Sequence, residues 1–261
     1  MFLRSVALRT GLVTMLVCLA GCPGAEFLWQ VRTQSTTRPP SFNPVVFEQQ
    51  PVAVLEALTA AGLHGNEVGL SLALSRTLKR IEPTWKLVSP KETATRINQA
   101  GLAAEYVRMR IDYERSDILD REPLRKIGAA LGVRYVFQPR LAFFNQTIYQ
   151  RWEFPGLNVW VLQTRVSILR QSLQLWDTET GELLWASLGE GTFQEEGLFH
   201  APVYLREAGL IIWGSIVSDL TYERTAFLYT PMDALLDALS SPENVVKELP
   251  GNKPAAAPAG Q

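Results

Sequence analysis

LRKIGAALGVRYVFQPRLA, residues 124–142, changes character halfway along. Its first half continues a helix that should start at Arg121 and run to Leu131. Gly132 then stands where a left-handed residue ends a helix, a conformation glycine takes without steric cost. From Val133 to Leu141 β-branched and aromatic residues recur at short intervals, which predicts a strand. A helix that ends on glycine and passes directly into a strand is a building unit of mixed helix-and-sheet domains. Similar units should lie on either side of it.

On the N-terminal side, Pro51 to Leu58 (PVAVLEAL) reads as a buried strand, and Gly62 to Gly65 as a turn. Asn66 can cap the helix that follows, which carries Val68, Leu72 and Leu78 at roughly helical spacing. Lys79 and Arg80 near its end suit the helix dipole. Trp85 to Val88 predicts a short strand. Ser89-Pro90-Lys91-Glu92 is a capping box with proline at the first helical position, opening a helix to about Ala100. Leu102 to Tyr113 is a further helix, with Ala104, Val107 and Ile111 as its apolar stripe.

On the C-terminal side, Val159 to Trp176 alternates. Val166, Ile168, Arg170, Ser172, Gln174 and Trp176 share one face; Ser167, Leu169, Gln171, Leu173 and Leu175 share the other. DTETGE, residues 177–182, is a hairpin turn in which Gly181 supplies positive φ. Leu183 to Ser187 returns as the partner strand, with Trp176 and Trp185 expected to stack across the pair. Val203 to Leu220 closes the domain as a long apolar helix. The order is β-α-β-α-α-β, a hairpin, then a helix. The expected fold class is α/β (α+β), a mixed sheet with packed helices.

The chain has 261 residues, 47% hydrophobic and 20% charged, with a net charge of -1. That composition suits a globular domain with a real core. It offers no basic stripe for nucleic acid. No set of residues makes a catalytic or metal site. His64 and His200 are far apart in sequence, and zinc needs three or four ligands at suitable spacing. Asp177, Glu179 and Glu182 read as solvated turn residues. No catalytic or metal-ligating residue is therefore expected, and no cofactor.

The N-terminus carries its own message. Arg4 and Arg9 precede an apolar run from Gly11 to Ala20, too short to span a bilayer but suited to a secretory signal. Leu19-Ala20-Gly21-Cys22 follows. This resembles the lipobox of bacterial lipoproteins. The resemblance implies cleavage between Gly21 and Cys22, and a covalent diacylglycerol with an N-acyl lipid on Cys22. Cys18 falls in the removed segment, so the mature chain keeps one cysteine and forms no internal disulfide. Pro23 after the cysteine favours the outer membrane over inner-membrane retention.

The expected organisation is a signal peptide at 1–21, an extended Pro/Thr/Ser-rich linker at 22–50, a domain at 51–225, and a C-terminal extension at 226–261 with a disordered Pro/Ala-rich tail. PVAVLEAL, NEVGLSLALSRTLKRI, WKLVSPKETATRI, LRKIGAALGVRYVFQPRLA and LQLWDTETGELLWAS together resemble a periplasmic domain group. That group comprises the TolB N-terminal domain, the LpoB activators and the curli secretion lipoprotein CsgG. The likeness spans residues 50 to 222, and Pro139 stands where the group usually has glycine.

The resemblance implies a non-catalytic accessory, assembly or partner-binding factor on the periplasmic face of the outer membrane. Its partner would be another envelope protein or a second copy. The alternative is a CsgG-like oligomeric secretion channel subunit. Two insertions bear on that choice, Phe143 to Val161 and Gly189 to Ala201. A barrel strand needs apolar side chains at every second position. Phe144, Gln146, Ile148, Gln150, Trp152 and Phe154 are only half apolar, and the second insertion is acidic. An aromatic-rich hairpin or loop is expected instead, with Tyr149, Trp152, Phe154 and Trp160 as candidates for a partner surface.

Overall fold

The computed structural model describes residues 27–60, 63–153, 160–197 and 205–222. It is a mixed helix-and-sheet fold. Strands β1 (Phe27–Ser35), β2 (Val52–Val54), β3 (Leu58–Thr59), β4 (Leu87–Val88), β5 (Tyr135–Glu153), β6 (Trp160–Asp177) and β7 (Leu183–Gly197) form one sheet. The helices are α1 (Val46–Gln49), α2 (Glu67–Ile81), α3 (Pro90–Gln99), α4 (Ala103–Ser116), α5 (Arg121–Leu131) and α6 (Leu205–Tyr222). The strand order is β1-β7-β6-β5-β2-β4, with β3 also on β5. β2 and β3 run parallel to β5, and β5, β6, β7 and β1 are antiparallel to one another.

Strand alternation divides the base of the sheet between two cores. Val52, Val54, Phe137, Leu173 and Leu175 point to the side covered by α2 and α6, where Leu70, Leu74, Leu78, Ile212 and Ile216 meet them. Ala53, Leu55, Val136 and Trp176 point to the side covered by α3, α4 and α5, against Ile97, Met109, Leu124, Ile127 and Leu131. Gly189 and Gly191 lie under α6. A Cβ on Gly189 would come within 2.5 Å of Ile212, and one on Gly191 within 2.6 Å of the Phe193 ring. The missing side chains are what let α6 settle onto β7.

Several local readings hold. Gly132 ends α5 in the left-handed region at φ 68, and Gly181 has φ 74 in the β6–β7 turn. Ser89 caps α3, its hydroxyl accepting from the Glu92 N–H at 3.3 Å. Residues 167, 169, 171, 173 and 175 of β6 form its buried face, as the alternation predicts.

Other readings need correction. The segment expected to be an extended linker is folded from Phe27 onward. β1 pairs with β7 along its whole length. Phe42 and Phe47 enter the core, with Phe47 edge-on to Trp85 at 4.8 Å and to Phe137 at 5.7 Å. The strand expected at 51–58 is split, because the chain leaves the sheet between Val54 and Leu58. Asn66 precedes α2 without a side-chain cap; its amide donates to the Leu63 carbonyl instead.

Of the stripe expected on α2, Leu78 is buried but Val68 and Leu72 are exposed, and the stripe expected on α4, Ala104, Val107 and Ile111, faces outward. Val68 is 61% exposed and Val107 54%, while Leu70, Leu74, Tyr106, Met109 and Tyr113 are buried. Trp176 and Trp185 do not stack. A register shift after Leu175 pairs Trp176 with Leu183, and the two rings end in different cores.

Candidate functional site

β5, β6 and β7 continue well beyond the helices. β5 has 19 residues, β6 has 18 and β7 has 15. A bulge at Ala142 marks the transition: Leu141 pairs with Gln171, but Phe143 pairs with Arg170. The extra residue keeps Leu141 and Phe144 on one face and re-aims the rest of the strand. Beyond it lies a four-stranded wing made of β5, β6, β7 and β1.

The wing has two unlike faces. The face continuous with α6 carries Phe144, Gln146, Ile148, Gln150 and Trp152 on β5. Opposite them are Gln163, Arg165, Ser167 and Leu169 on β6. Its polar groups are partly internal: Gln146 donates to the buried Ser167 hydroxyl at 2.9 Å. Arg165 and Glu195 are both buried and sit directly across from each other on β6 and β7.

No described helix packs over the second face. It presents Phe143, Asn145, Thr147 and Tyr149 of β5, Val166, Ile168 and Arg170 of β6, Leu188 and Glu190 of β7, and Arg32 of β1. Phe143, Tyr149 and Leu188 are exposed. Arg170 pairs with Glu190 and lies over the Phe143 ring, 5.6 Å from its centre. This is a mixed surface, aromatic and aliphatic side chains interleaved with polar ones around an ion pair, a mixture common at protein contacts.

Of the four aromatics named from sequence, Tyr149 is 59% exposed and Trp152 63%. They stand three positions apart on β5, on opposite faces of the wing. Trp160 is placed by its backbone, opposite Glu153. Phe154, Gly21 and Cys22 lie outside the described residues, as does His200. Sequence reading missed Phe143, Ile148, Leu188 and the Arg170–Glu190 pair. The signal was the period-2 pattern that persists past Leu141 and through LGEGTFQEE.

Asp177 has a structural duty. Asp177 is not solvated. It is buried, takes an ion pair from Arg134 at 2.8 Å, and accepts the Glu179 N–H at 2.8 Å, so it ties the hairpin turn. Glu179 and Glu182 are exposed.

His64 is exposed and 3.3 Å from Glu67. Glu67 accepts from the Thr59 hydroxyl at 2.7 Å and the Gly65 N–H at 2.6 Å. Burial opposes its charge, but these hydrogen bonds outweigh it and hold the carboxyl down to about 2. Burial pushes the Tyr113 hydroxyl up. Its proton goes to the Gln174 amide oxygen, which also accepts from Trp176.

Among the described residues no three His, Cys, Asp or Glu side chains gather as a metal site. An open cleft of about 780 Å³ lies between β1 and the end of α6, lined by Thr33, Ser35, Arg38, Trp185, Asp219 and Thr221. Its Ser35 hydroxyl donates to Asp219, and no imidazole lines it. No described helix is long and apolar enough to cross a membrane.

No protein-family model matches the chain, and no curated protein matches it in sequence. Solved structures do resemble it in fold. The PelC dodecamer from Paraburkholderia phytofirmans is 11% identical, with a TM-score of 0.41 over 74% of this chain and 98% of that one. Lipoprotein GNA1162 from Neisseria meningitidis is 16% identical, with a TM-score of 0.38 over 66% of this chain and 94% of that one. The LpoB C-terminal domain from Salmonella enterica is 17% identical, with a TM-score of 0.32 over 54% of this chain and 81% of that one.

Proposed function

We propose that this chain is a lipid-anchored envelope protein that works by binding a partner protein at the periplasmic face of the outer membrane. The lipobox at Leu19 to Cys22 supports the anchor. The observation that carries the binding role is the uncovered face of the wing, with Phe143 and Leu188 exposed around the Arg170–Glu190 pair.

Two experiments test this. Cys22→Ala should release the protein from membranes; a variant that stays bound as tightly as wild type would place the anchor elsewhere. A photo-crosslinking residue at Leu188 should capture a specific protein in intact cells, while one at the exposed Asn98 of α3 should not. Equal capture, or none at either site, removes the wing face from the proposal.

The alternative, a subunit of an oligomeric secretion channel, draws support from strand length. Residues 143–153 number enough to cross a bilayer as a barrel strand, which takes about 9 to 11 residues. Polarity opposes it. Gln146, Gln150, Gln163 and Arg165 interrupt one face, and Arg32, Arg170 and Glu190 the other. An Arg on a lipid face costs about 2–4 kcal/mol at mid-bilayer. A large ring in mild-detergent extracts would favour the channel; a monomer or dimer would remove it.

A further inference from the structure

The tip of the wing lies close to the point where the lipid would be attached. β1 begins at Phe27, and Phe27 pairs with Glu195 of β7. Glu195 is opposite Arg165 of β6, and Arg165 is opposite Ile148 of β5. Phe27 therefore sits in the row of Ile148, near the outer end of the β5–β6 hairpin. Phe27 is five positions along the chain from Cys22. Fully extended, those five steps reach about 17–18 Å. Beyond the Ile148 row, β5 continues for five more residues to Glu153, about 17 Å at strand rise. A tether of that length holds the start of β1 no farther from the bilayer than the hairpin itself projects.

The side chains at that end suit a bilayer surface. Ile148 is 49% exposed, Tyr149 59% and Trp152 63%, with Gln150 and Arg151 exposed between them. Three of the most exposed large apolar residues thus fall within five positions, on both faces of one strand. Packing against a protein would need one face only. Tyr and Trp concentrate at the membrane–water interface, where an apolar body and a polar tip are both accommodated, and Arg suits anionic headgroups.

We propose that the tip of the β5–β6 hairpin, through Ile148, Tyr149 and Trp152, seats in the headgroup region of the same bilayer that holds Cys22, giving the protein a second membrane contact. This extends the anchor reading and rests on it for the tether. Two contacts fix the tilt of the domain, where a lipid alone would leave it free to swing. The uncovered wing face would then stand upright from the membrane.

The test uses the lipidated chain in phosphatidylethanolamine–phosphatidylglycerol vesicles, with Gln150→Cys or Asn98→Cys carrying an environment-sensitive fluorophore. The mature chain's only other cysteine is the acylated one. The label at 150 should shift to the blue and lose emission to a quencher placed at the headgroups; the label at 98 should do neither. Tyr149→Ala with Trp152→Ala should abolish the shift at 150, and both residues are exposed enough for the fold to survive.

Mass spectrometry of the same sample separates this proposal from the anchor. If Cys22 is acylated and position 150 is as wet as position 98, the tip contact is overturned and the anchor stands. If Cys22 is unmodified and 150 is still shielded, the anchor falls and the tip binds lipid unaided. If both fail, neither contact exists.

Discussion

The base of the sheet and the wing are built from the same strands but obey different rules. In the base, both faces of β5 are covered by helices, and Val136 and Phe137 are fully buried on opposite sides. Four residues past the bulge at Ala142, polar residues occupy both faces and no described helix covers one of them. Stability is concentrated where two cores share a strand; surface for contact is supplied where the strand outruns them. The bulge is the device that divides the two regimes.

Mutations should separate the regions by size of effect. Phe137→Ala removes a ring packed against Phe47 and Trp85 and should cost about 3–5 kcal/mol, read from the urea midpoint. Gly191→Val, where α6 crosses the lower wing, should cost about 1–3 kcal/mol through overpacking against Phe193 and Ile212.

Glu67→Gln should cost about 1–2 kcal/mol at pH 7, since it weakens hydrogen bonds from Thr59 and Gly65 to a charged acceptor. Glu67 titrates at about 2 in the fold, against about 4.3 when unfolded. Its contribution is therefore complete above roughly pH 4.5 and fades as the pH falls toward 2. The gap between wild type and Glu67→Gln should narrow over that window. Ile148→Ala at the wing tip should stay within about 0.5 kcal/mol of wild type. A loss comparable to that of Phe137→Ala would mean the wing tip is core, and would break the distinction between the regions.

The base was the more legible region. α5, its Gly132 cap and the strand after it follow from residues 121–141 alone, because a glycine stop and a β-branched run are local signals. The β6–β7 turn follows from Asp177 and Gly181 for the same reason. What failed was non-local. β1 reads FLWQVRTQS beside TTRPP and passes for a tether; only the distant β7 makes it a strand. On α2, Val68 and Leu72 lie as close to helical spacing as Leu70 and Leu74, and only the packed sheet selects between them. The candidate surface was half legible. Tyr149 and Trp152 were visible as aromatics, but Phe143 and Leu188 became surface only because the strands outlast their helices.

The placing of β1 also governs how the chain folds. Ser35 bonds to Ser187 across 152 positions of sequence. Closing a loop of that length delays pairing, and folds rich in such contacts form slowly. A chain emerging N-terminus first would present β1 long before β7 exists to receive it. Until then its backbone is an unpaired strand with one charge, Arg32, to discourage other strands from pairing with it. The final step of folding would be the docking of a strand made long before its partner, and any helper that shields nascent strands would find its task there.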